Sequence, residues 1–360
     1  MRKISTLLIM LLCMAAFTAC SKETGDPSNT AEATVTVAPT TAPSEAATIE
    51  DASGASDESE KPAEKIGMKV AALKGPTAIG MVKLMDDAAA GVTENNYQFT
   101  IAGTADEIST GLVKGDVDIA AIPCNLASVL YNKTQGGIKL AGINTLGVLY
   151  IVETGNSIKS VQDLKGKTIY ATGLGTVPQY TLNYILQANG IDPEKDLTIE
   201  YKTEPTEVAA MLSKSEDAIA MLPQPYVTTV MLGNDKVHIV LDMAEEWNRV
   251  ATDGSTVVTG VVVVRSEFLE DNREAFDAFM KEYAASTEFV NEKVDAAATL
   301  VEKFDIFKAA PMKKAIPYCN ITLIQGSEMK DKVNGYLSAL FGQKPDSVGG
   351  ALPAEDFYIQ

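Results

Sequence analysis

Between residues 66 and 265, short apolar runs alternate with longer stretches whose apolar residues recur every three or four positions. The first pattern suits buried strands and the second suits amphipathic helices. "MKVAALKG" predicts a strand ending at Gly75, and "PTAIGMVKLMDDAAAG" predicts a helix with Ile79, Val82 and Met85 on one face and Gly91 at its end. "YQFTIAG" reads as a strand. "TADEISTGLVKGD" reads as a helix opened by a capping box, Thr104-x-x-Glu107. "DIAAIPC" is a strand, "NLASVLYN" a helix with Asn125 as its N-cap, and "IKLAGINTLGVLYIVE" one longer strand region. This order predicts an α/β layer architecture with a mostly parallel sheet covered on both faces.

The pattern then restarts. "GKTIYATG" ends at Gly173. "LGTVPQYTLNYILQANG" predicts a helix with a Thr176-x-x-Gln179 box and a stop at Gly190. "DLTIEYK", "TEVAAMLSKS", "AIAMLP", "QPYVTTVMLGN" (with Pro225 in its first turn) and "KVHIVLDM" follow as strand, helix, strand, helix and strand. The restart is visible in the letters: "TADEISTGLVKGDVDIAAIP" is answered by "EPTEVAAMLSKSEDAIAMLP", and Thr77 falls opposite Thr176. A constant offset through three successive elements implies two similar α/β lobes. Each lobe's strands stop where open parallel sheets bind ligands. "ATDGSTVVTGVVVVRSEF" then supplies a β-branched strand over Val257–Val264 after the turn signal Asp253-Gly254, read as the chain crossing back. The expectation is lobe 1 over 66–152 plus 255–360, lobe 2 over 153–254, and two hinge strands.

The ends and the charge narrow the class. "MRKISTLLIMLLCMAAFTAC" has Arg2 and Lys3, an apolar run too short to span a bilayer, and Cys20 after Thr18-Ala19. It resembles a bacterial lipobox, with Phe17 where Leu is usual. That resemblance implies a signal over 1–20, lipidation of Cys20, and an extracytoplasmic protein anchored to the cell membrane. Residues 21–65 are rich in Ala, Thr, Ser, Pro and Glu without one aromatic residue, the composition of a disordered tether. The net charge of −18 argues against a nucleic-acid partner, and the four arginines (Arg2, Arg249, Arg265, Arg273) leave few candidates for a bidentate anion clamp. Of four cysteines, only Cys124 and Cys319 fall in the folded part, either bridged or free. His238 is the one histidine and sits in a strand pattern, so no histidine-based triad or zinc site is expected. No Walker motif or dinucleotide fingerprint appears. No enzyme activity, metal or cofactor is expected.

The lipobox, tether, double crossover and the stretches "GDVDIAAIPCNLAS", "SVQDLKGKTIYA", "AMLPQPYV", "GVVVVRSEFLEDNREAFDAFMKEY" and "AIPYCNITLIQGSEMKDKVNGYL" resemble the solute-binding proteins of bacterial ABC importers. The narrower resemblance is to the nitrate/sulfonate/taurine and thiamine-precursor binding group, over residues 66–345. It implies a type II periplasmic-binding-protein-like fold, a monomer that binds a small polar or anionic solute between its lobes, and ABC permease subunits as partners. Carried over to matching positions, the first lobe offers Gly75, Pro76, Thr77, Thr104, Cys124 and Asn125, and the second offers Gly175, Thr176, Gln224 and Tyr226. Helix N-termini can hold an anion without an arginine, although Thr77, Thr104, Asn125 and Thr176 also read as plain caps. Several relatives carry Glu in the Pro-x-Pro element, so the neutral Gln224 disfavours a strongly cationic ligand. Trp247, the one tryptophan, either stacks on a flat ligand or covers the second lobe's core. A ligand sensor with the same lobes, or an extracytoplasmic enzyme, are the other functions these residues allow.

Overall fold

The computed structural model describes residues 65–360. The lipobox, Cys20 and all of the tether up to residue 64 lie outside the described residues. The first pass of the chain lays down β1 (Gly67–Leu73), α1 (Pro76–Ile79), α2 (Val82–Ala89), β2 (Asn96–Ala102), α3 (Ala105–Lys114), β3 (Ile119–Pro123), α4 (Cys124–Thr134) and β4 (Ile138–Leu146). A second set follows: β5 (Leu149–Glu153), β6 (Thr168–Thr172), α5 (Val177–Ala188), β7 (Thr198–Lys202), α6 (Pro205–Lys214), β8 (Ile219–Pro223), α7 (Tyr226–Gly233), β9 (His238–Asp242) and α8 (Met243–Val250). The chain returns through β10 (Val258–Arg265) and finishes with α9 (Ser266–Asp271), α10 (Arg273–Glu292), α11 (Val294–Lys303), α12 (Ala309–Ala315), β11 (Ile321–Ile324) and α13 (Gly326–Gln343).

The strands form two sheets, ordered β11-β4-β10-β3-β1-β2 and β7-β6-β8-β5-β9. This is the two-lobed α/β architecture expected from the repeat. β1 runs parallel to β2 and β3, and β6 runs parallel to β7 and β8, so the two lobes share a parallel β–α–β centre. The returning β10 lies antiparallel between β3 and β4. Its valine run has a physical reason. Val261 and Val263 pack on the α4 and α13 side, and Val262 and Val264 on the α2 and α10 side. A strand covered on both faces must be apolar at every position. Burying each valine is worth roughly 1.5–3 kcal/mol relative to exposure, so a charge at Val262 would break this sheet at its middle.

The region 138–153 is not one strand. β4 ends at Leu146, and β5 pairs with β8 and β9 in the other sheet. The break falls at Gly147-Val148. A Cβ on Gly147 would sit 2.6 Å from the Ala244 Cβ and 3.3 Å from the Val257 Cβ. The outgoing and returning crossings therefore touch here, and only glycine lets the outgoing one past α8. Asn320, itself at φ 46, braces the spot by donating from Nδ2 to the Gly147 carbonyl.

Trp247 is fully buried. Its ring stacks on Tyr184 of α5 at 3.9 Å and leans on Tyr336 of α13 at 5.2 Å, while Nε1 donates to Ser255 Oγ. It covers the core where the C-terminal helix docks on the second lobe and is not accessible to a ligand. Cys124 and Cys319 are both free and buried. No helix among the described residues is long and apolar enough to cross a membrane.

Candidate functional site

A cavity of 390 Å³ lies where the two lobes face each other. Its floor is made of strand ends: Leu73 of β1, Pro123 of β3, Leu149 of β5, Pro223 of β8 and Thr259 of β10. Helix starts enter from both sides, α1 and α4 from the first lobe and α5 from the second. Four of the ten residues expected from the sequence line it: Pro76, Thr77, Asn125 and Thr176. Thr77 and Thr176, which the repeat places at equivalent positions, meet across this space.

The other six lie elsewhere. Gly75 makes the turn into α1 at φ 138 but does not line the cavity. Thr104 caps α3, its Oγ1 accepting from Glu107 N at 3.4 Å, and only its neighbour Ala105 reaches the cavity. Cys124 is fully buried beneath the start of α4, and burial pushes its thiol far above the ordinary range, so it remains protonated. Gly175 borders an outer groove along α5, where its N–H donates to Gln179 Oε1 at 2.7 Å. Gln224 is buried and turned toward α7, its Oε1 accepting from Thr228 N at 3.2 Å and Thr228 Oγ1 at 2.9 Å. Tyr226 packs edge-on against Phe307 at 5.4 Å, bridging the lobes outside the cavity, and burial raises its hydroxyl pKa.

Two capping expectations also change. Helix α4 starts at Cys124 with Pro123 as N-cap, and Asn125 donates from Nδ2 to Ser347 O at 3.2 Å. Thr176 does not cap through its side chain. Its Oγ1 donates to Gly173 O at 2.8 Å. The consequence is chemical. Thr77 Oγ1 also donates backward, to Leu73 O at 2.9 Å, so both threonine hydroxyl protons and one of the two Asn125 amide protons are already used. What these side chains still offer a ligand is lone pairs and one Asn125 N–H. The donors left are that N–H, the Thr259 hydroxyl, the uncapped first-turn N–H groups of α4 and α5 and the ammonium of Lys74.

Lys74 is the one cationic side chain lining the cavity. It pairs with the well-exposed Asp305 at 3.1 Å. Among the described residues the arginines are engaged elsewhere, Arg249 with Glu245 and Glu246, Arg265 with Asp118 and Glu267, and Arg273 with Asp277. Thr259 Oγ1 is buried on the floor without a hydrogen-bond partner among the described residues. The walls are otherwise apolar: Leu73, Leu126, Val148, Leu149, Val177 and Pro178. Sequence reasoning missed Lys74, Val148, Leu149 and Thr259. Lys74 stands one residue before the Gly75 turn and was open to detection as a strand-end residue. Val148 and Leu149 were hidden inside an apparently continuous strand.

His238 contributes nothing here. It stands at the start of the edge strand β9, its Nε2 3.9 Å from Glu153 Oε1. Among the described residues no group of three or more His, Cys, Asp or Glu side chains is placed to hold a metal ion.

Residues 139–297 match the model of the family described as NMT1/THI5 like. No curated protein matches this chain by sequence. Several solved structures share the fold. An ABC transporter protein from Parabacteroides distasonis is 24% identical over 82% of this chain and 99% of its own, with a TM-score of 0.68. The periplasmic aliphatic sulphonate binding protein SsuA of Escherichia coli is 14% identical over 82% and 92%, with a TM-score of 0.65. A Candida albicans protein described as having the generic periplasmic binding protein structural fold is 13% identical over 81% and 92%, with a TM-score of 0.50. The fold is thus the type II binding-protein fold, and the family match agrees with the resemblance read from the sequence.

Proposed function

We propose that this chain is a solute receptor that captures a small molecule between its lobes and delivers it to an ABC importer. The observation that carries the reading is the cleft itself, where strand ends and helix starts from both lobes converge on one cavity, with Thr77 and Thr176 facing across it. The family match over 139–297 and the fold shared with ABC-transporter binding proteins support it. Solute would draw the lobes together about Gly147-Val148 and the 251–257 segment, and the closed form would be what the permease recognises. No covalent step is needed, and the site holds no nucleophile–base pair: Cys124 is buried and protonated, and His238 is remote.

The lining narrows the solute. Apolar walls disfavour a bare inorganic anion such as nitrate. They favour a molecule with a compact apolar or ring body and a few polar groups, a sulfonate, a pyrimidine or a similar compound. In this reading Cys20 carries the lipid anchor, residues 21–65 tether a monomeric receptor outside the membrane, and the permease subunits are its partners. The test is a thermal-shift screen of the full-length chain against sulfonates, pyrimidines, small anions and amino acids. A solute present at 100 times its dissociation constant adds roughly 2.7 kcal/mol. A rise for one class, with lobe closure seen by small-angle scattering, is the expected result. Saturable binding without closure, or product formed from the solute, would overturn the receptor reading.

A further inference from the structure

A second concave site lies across the second sheet from the cleft. Along β5, Leu149 reaches the cleft, whereas the next residue, Tyr150, packs into the cluster that includes Val208, Leu212 and Val227 of α6 and α7. On that far side the Tyr150 hydroxyl donates to the Tyr318 carbonyl at 3.1 Å. Beside this bond a groove of 530 Å³ opens between α7 and β9 of the second lobe and the α12 end and following turn, Ile316–Tyr318, of the first. It shares no lining residue with the cleft.

The groove has two chemically distinct parts. Its wall is apolar and open to solvent, with Met231 36%, Leu232 50% and Tyr318 51% exposed. These are among the most exposed large apolar side chains of the described residues, and they gather on this one feature. Its polar end is rich in donors. Gln224 is 1% exposed, and both hydrogen bonds to its carbonyl oxygen come from Thr228. Its Nε2 donates to no acceptor among the described residues. Lys313 and Lys314 stand beside it. Lys313 pairs with Asp295 at 3.3 Å, and Lys314 joins no ion pair among the described residues. A buried amide with free N–H groups and an unpaired ammonium call for an acceptor, and two adjacent lysines call for an anionic one. The volume suits a small molecule rather than a water or two.

We propose that this groove is a second ligand site, for a small organic anion. Its carboxylate or similar head is met by Gln224 Nε2 and Lys314, and its aromatic or aliphatic body lies over Met231, Leu232 and Tyr318. The two walls belong to different lobes, so an occupant links α7 to α12 and favours the lobe arrangement that keeps them together. The two sites share no lining residue and are linked only through the lobe arrangement.

The probe is 4-phenylbutyrate, titrated calorimetrically into the full-length chain. One saturable site is expected, with affinity reduced about tenfold or more by Lys314→Glu and by Leu232→Glu, as expected for loss of one charge-assisted contact or one apolar wall. Lys314→Arg retains binding. Both positions are exposed, and unchanged melting temperatures confirm that the variants fold. The neutral 4-phenylbutanol binds about tenfold more weakly than the acid, and Leu126→Glu, on the cleft wall, leaves the affinity of the acid within roughly twofold. Absence of saturable binding overturns the proposal. So does equal binding of the alcohol, or binding lost in Leu126→Glu and kept in Leu232→Glu, which places the probe in the cleft.

Discussion

The side-chain amide of Asn144 donates to the Thr77 carbonyl at 2.9 Å and to the Tyr283 hydroxyl at 3.1 Å. One buried group thus ties β4, which leads into the first crossing, to the helix start at the cleft and to α10 behind it. Asn144→Leu keeps the volume and removes the donors, leaving the Thr77 carbonyl buried and unpaired. The expected cost is about 1–3 kcal/mol. It is read as a lower urea midpoint with an unchanged slope, together with weaker solute binding as α1 loses its anchor. An unchanged midpoint would show that Thr77 has another donor and that Asn144 does not position the cleft.

Gly147 and Ala244 form a second contact that can be tested as a pair. Gly147→Ala would bring two methyl carbons to 2.6 Å, closer than carbon atoms tolerate, so the crossing must shift. The single variant should lose about 1–3 kcal/mol through overpacking. Ala244→Gly in the same chain should recover part of that, less about 1 kcal/mol for glycine inside a helix. Thermal melts of the two single variants and the double variant give the coupling. Strict additivity would mean that the crossings do not press on each other.

If the cleft binds solute as proposed, Lys74 should set its charge preference. With the other lining side chains uncharged, Lys74→Met should weaken binding of an anionic solute about tenfold and flatten its salt dependence. A neutral solute should bind within about twofold of the original protein. Titration at two ionic strengths reads both effects. Anion binding that is indifferent to Lys74 would assign the charge to the helix starts alone.

Asp242 makes stability depend on pH in an unusual direction. Burial raises its carboxyl above the ordinary carboxylate value, outweighing the two bonds it accepts from Ala244 N and Glu245 N at the start of α8. The folded protein therefore holds this proton longer than the unfolded chain does. The contribution is fully present below the unfolded value, near pH 3.9, and is lost as pH rises through the raised one. Asp242→Asn keeps an acceptor for the cap and removes the titration. Melting temperatures measured from about pH 4 to 7 should fall less with pH in the variant. Parallel curves would show that the carboxyl does not titrate in this window.

Much of this protein is written locally. The two α/β passes, the capping of α3 by Thr104, the valine run of β10 and the equivalence of Thr77 and Thr176 follow from periodicity and repetition, because a strand or helix must turn its apolar residues toward a core wherever that core lies. The cleft's position at the strand ends follows from the same order of elements. Packing decided the rest. Whether 138–153 was one strand or two depended on Gly147 meeting Ala244, a contact nearly a hundred residues away in sequence. Pro123 and Pro223 are equivalent in the repeat and both line the cleft, yet beyond them Asn125, two residues on, reaches the cleft and Gln224, one residue on, turns to the opposite groove. At the end of a strand, one step along the backbone exchanges one face of the sheet for the other. Which face opens onto the cleft is set by the helices packed beyond it, α13 behind α4 and α12 behind α7, and those come from the far end of the chain.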